Sequence, residues 1–134
     1  MKIVVIDGQG GRLGQLIVGE ILKEQIEGDL YVIGTNSIAT SAMLKAGAPH
    51  GATGENPVKV VCKDADVIIG PIGIVSADSL LGEVTPEMAV AIGQSKAIKL
   101  LIPVSNCNNQ VVGVKQLTMN ELVKETVERL KELL

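Results

Sequence analysis

Residues 1–14, MKIVVIDGQGGRLG, constrain this chain more than any other stretch. Ile3 to Ile6 is an unbroken β-branched run, the pattern of a short strand buried on both faces. Asp7 closes it, and glycines follow at 8, 10, 11 and 14. From Arg12 the period changes, and Leu13, Leu16, Ile17, Ile21 and Ile26 fall largely on one helical face. Strand, glycine loop, helix is the order in which such a loop carries chemistry. Glycines let the backbone turn tightly and let a ligand approach it with no Cβ in between. The helix start adds unpaired N–H groups and the positive end of a dipole, both suited to an anion.

The spacing departs from the usual dinucleotide fingerprint, G-x-G-x-x-G. Gly8 and Gly10 are followed by Gly14, so the last glycine comes one position late. Gly8, Gln9, Gly10, Gly11, Arg12 and Gly14 are the candidate phosphate-binding residues; the alternative is a turn whose glycines serve packing alone. No Gly-Lys-Ser/Thr ends the run, which excludes a P-loop. Asp7 puts a negative charge close to where a pyrophosphate would sit. The second strand, Leu30 to Ile33, lacks the acid expected at its end for the ribose hydroxyls. Asp29 stands at its beginning, and the end reads Gly34-Thr35-Asn36. Thr35, Asn36 and Ser37 would then receive the ribose or its 2′-phosphate, with no arginine beside them. NAD and NADP both stay open, as does a mononucleotide or another small phosphorylated ligand.

The rest of the chain alternates in the same way. The first helix is expected to end near Glu27, stopped by Gly28. A second helix is expected from Ser37 to Ala46, with Ile38, Ala42 and Met43 inward. A short strand fits Pro49 to Ala52. Residues 56–63 fit a strand or a helix; Asn56 as cap and Pro57 at the first position favour the helix. Asp66 to Gly70 reads as a strand, and Gly70, Pro71, Ile72 and Gly73 follow at its end. Ser79 to Leu81 suits a helical turn, and Thr85-Pro86-Glu87 starts a helix running to about Gly93. Ile98 to Pro103 and Val111 to Val114 read as strands, the latter at an edge. Thr118-x-x-Glu121 is a capping box. It opens a last helix with Leu122, Val123, Val127, Leu130 and Leu134 inward and Glu125 four residues before Arg129. This alternation predicts a three-layer α/β/α sandwich, Rossmann-like, with a mostly parallel sheet.

A chain of 134 residues fits one domain spanning 1–134. With one Tyr and no Trp or Phe, its core must be Val, Ile, Leu and Ala. The stacking residues that single-stranded nucleic-acid binders use are missing. A net charge of −3 without a basic patch also argues against nucleic acid. The apolar runs are far short of a membrane span, and the start reads as a strand rather than a signal peptide. The expected location is cytoplasmic, with Cys62 and Cys107 as free thiols.

Taken together, MKIVVIDGQGGRLG, GTNSIATSAMLKAGA, GATGENP, ADVIIGPIGIV and IPVSNCNN resemble a family of short bacterial Rossmann-like proteins known only as a domain of unknown function. The resemblance covers nearly the whole chain. It implies an NAD(P)-binding type of fold and brings no reaction, substrate or catalytic residue.

Ligands of open parallel sheets bind beyond the carboxyl ends of the strands. Four segments meet there in this topology: 8–14, 34–37, 70–73 and 103–109. In the last, Ser105, Asn106, Asn108 and Asn109 offer neutral donors and acceptors, either for a ligand or for the turn itself. Cys107 lies among them; a reactive thiolate needs a nearby base, cation or helix start, and nothing places His50 there. Cys62 fits the core, and His50 fits a surface loop. Asp7 is the sharpest catalytic candidate, against the alternative that it accepts backbone N–H bonds and shapes the loop. No metal-ligand pattern is present. Three classes remain: a small NAD(P)-dependent oxidoreductase, a non-catalytic metabolite sensor, and a structural subunit. The apolar segment 76–92 could supply a face for a homodimer or higher oligomer in any of them.

Overall fold

The computed structural model describes residues 1–104 and 108–134. The β-branched opening forms β1 (Lys2–Asp7), and the amphipathic stretch after the glycines forms α1 (Arg12–Lys23). β2 (Asp29–Gly34), α2 (Ser37–Lys45), β3 (His50–Thr53), α3 (Glu55–Val61), β4 (Val67–Pro71), α4 (Pro86–Gln94), β5 (Ile98–Ile102) and α5 (Met119–Glu132) follow. The strands pair in the order β3-β2-β1-β4-β5, every pair parallel. The chain winds outward from β1 to β3, then crosses back to β4 and winds the other way. By the general rule for open parallel sheets, this reversal marks the ligand crevice at the carboxyl ends of β1 and β4. This is the expected Rossmann-like α/β architecture.

Alternation along the central strands builds two cores. Ile3 and Val5 of β1, Leu30 and Val32 of β2, and Val67 and Ile69 of β4 pack with Leu13, Ile17 and Ile21 of α1, Met43 of α2 and Val123, Val127 and Leu130 of α5. Val4, Ile6, Ile33 and Ile68 point the other way, onto Val58 of α3, Cys62, and Met88, Ala89 and Ile92 of α4. A strand covered on both faces has no polar side, which is why β1 reads as a continuous apolar run.

Local signals place most helix starts. Thr85 accepts from the Met88 N–H at 3.1 Å ahead of Pro86. Asn36 accepts from the Ala39 N–H at 2.9 Å. Thr118 and Glu121 close the capping box, with bonds of 3.2 and 3.1 Å.

Several expectations are corrected. α1 stops at Lys23 rather than near Glu27. Gln25 takes a left-handed φ of 53° and donates to the Leu22 carbonyl, and Ile26 N–H returns to the Ile21 carbonyl at 3.1 Å. That is a Schellman stop with glutamine in the place glycine usually holds, and it tucks Ile26 against the core. Ile38 is 70% exposed; Met43 faces inward as expected, with Ala39 and Thr40 in place of Ile38. Residues 55–61 are helical, as favoured, but Gly54 precedes the first turn and Pro57 sits third in it, where its missing N–H costs nothing. His50 lies on β3, stacked on Tyr31 at 4.9 Å, not in a loop. Residues 79–81 are not helical, because Leu80 and Leu81 adopt left-handed φ of 56° and 57°. Residues 111–114 form no strand: Val112 is 96% exposed and Gly113 turns at a φ of 84°. Leu134 is exposed, and Arg129 faces Glu132 at 3.7 Å.

Candidate functional site

The glycine loop joins β1 to α1 at the crevice, and its four glycines do different work. A Cβ on Gly14 would lie 2.5 Å from Met43 Sδ and 2.9 Å from Asp7 Cβ, so this glycine lets α1 pack against β1 and α2. Gly11 has a φ of 74°, and a Cβ there would lie 2.7 Å from Ala39 Cα. A Cβ on Gly8 would meet Thr35 Oγ1 and Leu80 Cδ1. Gly10 differs: a Cβ there would have none of the described residues within 4 Å, and its φ is not left-handed.

Asp7 lies beneath the loop with its carboxylate buried. Oδ1 accepts from the Gly8 N–H at 2.8 Å and Oδ2 from the Gly14 N–H at 2.7 Å. Burial pushes the pKa up from 3.8; the two N–H bonds oppose the rise and the Glu83 charge adds to it. Through these two bonds the residue ties the loop to the first turn of α1. The N–H groups of Gly10, Arg12 and Leu13 have no acceptor among the described residues. Arg12 is exposed and makes no ion pair among them. The open side of the loop thus presents three main-chain donors, a helix start and a cation.

The pairing of Asp7 with Gly34 brings the end of β2 beside the loop. Asn36 Nδ2 donates to the Gln9 carbonyl at 2.8 Å while its Oδ1 caps α2. Ser37 begins α2 and is exposed. On the β4 side, Gly70 packs against the Ile6 carbonyl, Pro71 and Gly73 are buried, and the Gly73 carbonyl accepts from Ser79 Oγ. Ile72 is the half-open member of this group. Ser105, Asn106 and Cys107 lie outside the described residues. Cys62 is 1% exposed, and burial lifts its thiol pKa to about 11, against the opposing pull of the Lys2 and Lys99 charges. It is a core residue, as expected.

One residue at this site was not singled out from sequence. Glu83, in the strap between β4 and α4, reaches across to the loop. Its Oε1 accepts from the Gln9 N–H at 2.8 Å, Thr35 Oγ1 at 2.7 Å and Asn36 Nδ2 at 2.7 Å. Burial raises its pKa, but these three bonds outweigh that and hold it below 4.5. The only signal available beforehand was topological, since any β4–α4 connection faces the glycine loop across the crevice.

A family model described as a domain of unknown function (DUF3842) matches residues 2–134. The chain belongs to that family. This DUF3842 chain has no match among curated proteins. Among solved structures it is similar to a prephenate dehydrogenase from A. aeolicus in complex with hydroxyphenyl propionate and NAD+, at 13% identity and a TM-score of 0.48. That match covers 99% of this chain and 56% of the dehydrogenase, so the chain spans little more than half that protein's length. It is also similar to a dodecameric FMN-dependent UbiX-like decarboxylase from Escherichia coli O157:H7, at 14% identity and a TM-score of 0.44, covering 96% of this chain and 76% of the other. Among the described residues of the DUF3842 chain, no group of three His, Cys, Asp or Glu side chains is placed to hold a metal. No helix among them is long and apolar enough to cross a membrane.

Proposed function

We propose that this protein binds a nucleotide or dinucleotide at the carboxyl-end crevice, NAD or NADP foremost, with the phosphates on the glycine loop and the start of α1. The observation that carries the reading is Gly10. The loop's other glycines are accounted for by close neighbours or a left-handed backbone; among the described residues, Gly10 faces open space, and its own N–H and those of Arg12 and Leu13 have no acceptor. Absence of a side chain there serves an approaching ligand, and donors converging on a helix start suit a phosphate. The proposal includes a cytoplasmic, single-domain protein working as a homo-oligomer.

Thermal unfolding against NAD, NADP, their reduced forms, FAD, ATP, GTP and S-adenosylmethionine tests it. A ligand at a hundred times its Kd adds about 2.7 kcal/mol, several degrees of Tm. Gly10→Val should remove that shift and leave the unliganded Tm unchanged. If no nucleotide shifts the wild type, or the shift survives Gly10→Val, the site is not here.

A second reading, binding without turnover in a sensing or structural subunit, is favoured by Asp7. Both its oxygens are committed to backbone N–H groups, which argues against Asp7 itself acting as a base. Binding without turnover, accompanied by a change of mass in solution, would support it; oxidation or reduction of a substrate by the bound cofactor would refute it.

A further inference from the structure

Resting on the nucleotide reading above, we propose that Glu83 reads the ribose of the bound nucleotide and selects a free 2′-hydroxyl over a 2′-phosphate, hence NAD over NADP. Rossmann-like sites place an acid at the end of β2, where it takes the hydroxyls of the adenosine ribose. Here β2 ends Gly34-Thr35-Asn36 and supplies none. The fold supplies one from elsewhere: Glu83 stands at the junction of the glycine loop and the β2 end, held by Gln9, Thr35 and Asn36 together.

The geometry suits a receptor for hydroxyls. A carboxylate accepts at about four lone-pair sites. All three protein donors converge on Oε1, and Oε2 has no partner among the described residues. One oxygen therefore anchors the group while the other remains for a ligand donor. The bonds also keep the carboxylate ionised, and a fixed negative charge opposes a 2′-phosphate. Residues 34–40 contain no Arg or Lys to neutralise such a group.

The strap that carries Glu83 is an independent observation. Asp78, Leu80 and Leu81 adopt left-handed φ of 64°, 56° and 57°, followed by Gly82 at 87°. Three non-glycine residues in that region carry a conformational cost, and such strain gathers where function demands a particular shape. The strained turn is tied by Asp78 N–H to the Val84 carbonyl at 2.7 Å and by Val84 N–H to the Ser79 carbonyl at 3.2 Å. Its outcome is to aim Glu83 at residues 47 to 74 positions away in the chain.

The test is calorimetric titration of the full chain, Glu83→Gln and Gly10→Val with NAD and with NADP. Glutamine keeps one oxygen for Gln9 and Thr35, so the strap stays seated; an unchanged Tm checks this. The wild type should bind NAD at least about tenfold tighter than NADP, and Glu83→Gln should weaken NAD and bring the ratio towards one. Equal or tighter binding of NADP by the wild type would overturn the assignment to Glu83. So would an unchanged ratio in Glu83→Gln while Gly10→Val still abolishes binding; both outcomes leave the nucleotide site standing. Failure of the wild type to bind either nucleotide, or full binding by Gly10→Val, would overturn the site and this assignment together.

Discussion

Gly14→Ala is the sharpest test of how the glycine loop is built. The new Cβ would lie 2.5 Å from Met43 Sδ and 2.9 Å from both Met43 Cγ and Asp7 Cβ. Met43 is fully buried in the α1-side core, so its thioether has nowhere to swing, and Asp7 is pinned by two N–H bonds. With three atoms closer than 3.0 Å, forcing a methyl into such packing costs about 2–3 kcal/mol, the upper part of the usual range for overpacking. Alanine's better helix propensity returns about 0.8–1.0 kcal/mol. The balance is a loss of about 1–2 kcal/mol. With an unfolding entropy of about 0.28 kcal/mol/K for a chain of this length, Tm should fall by about 4–7 °C. Gly10→Ala should leave Tm within about a degree, because its methyl enters open space. Differential scanning calorimetry of both variants decides the matter. A neutral or stabilising Gly14→Ala, or a Gly10→Ala as damaging as Gly14→Ala, would refute the division of the glycines into packing and approach.

Other expectations follow from the same geometry. Thr118→Ala breaks the capping box of α5 and should cost about 1 kcal/mol, read as a drop of a few degrees in Tm. In a Cys107→Ser background, Cys62 should resist alkylation at pH 8 until the protein unfolds, since its buried thiol titrates at about 11; prompt labelling of the folded protein would contradict that burial. Carbon-detected NMR should find the Glu83 carboxyl titrating below 4.5 and the Asp7 carboxyl above 3.8. The linkage signs are opposite. The Glu83 contribution to stability is present above pH 4.5 and lost as pH falls through its lowered folded pKa. The Asp7 contribution is full below pH 3.8 and lost as pH rises through its raised folded pKa.

Periodicity and capping chemistry are local properties, so the sequence by itself determined the elements that depend on them. The β-branched run at Ile3–Ile6, the period change at Arg12, the Thr85-Pro86 start and the Thr118–Glu121 box each act within a turn or a strand. Their alternation determines a parallel α/β sandwich, because parallel neighbours require crossovers. Where two local solutions compete, tertiary contacts decided. Gln25 rather than Gly28 ends α1, since the Schellman turn seats Ile26 on the core. Residues 111–114 have strand-forming valines but form no strand in the folded chain. The candidate site divides along the same line. The glycines were visible in sequence, yet their separate tasks depend on Met43, Ala39 and Thr35, which only the fold brings near. Glu83 was invisible for the same reason: its partners are 47, 48 and 74 residues distant, and no local period encodes a bond across the crevice.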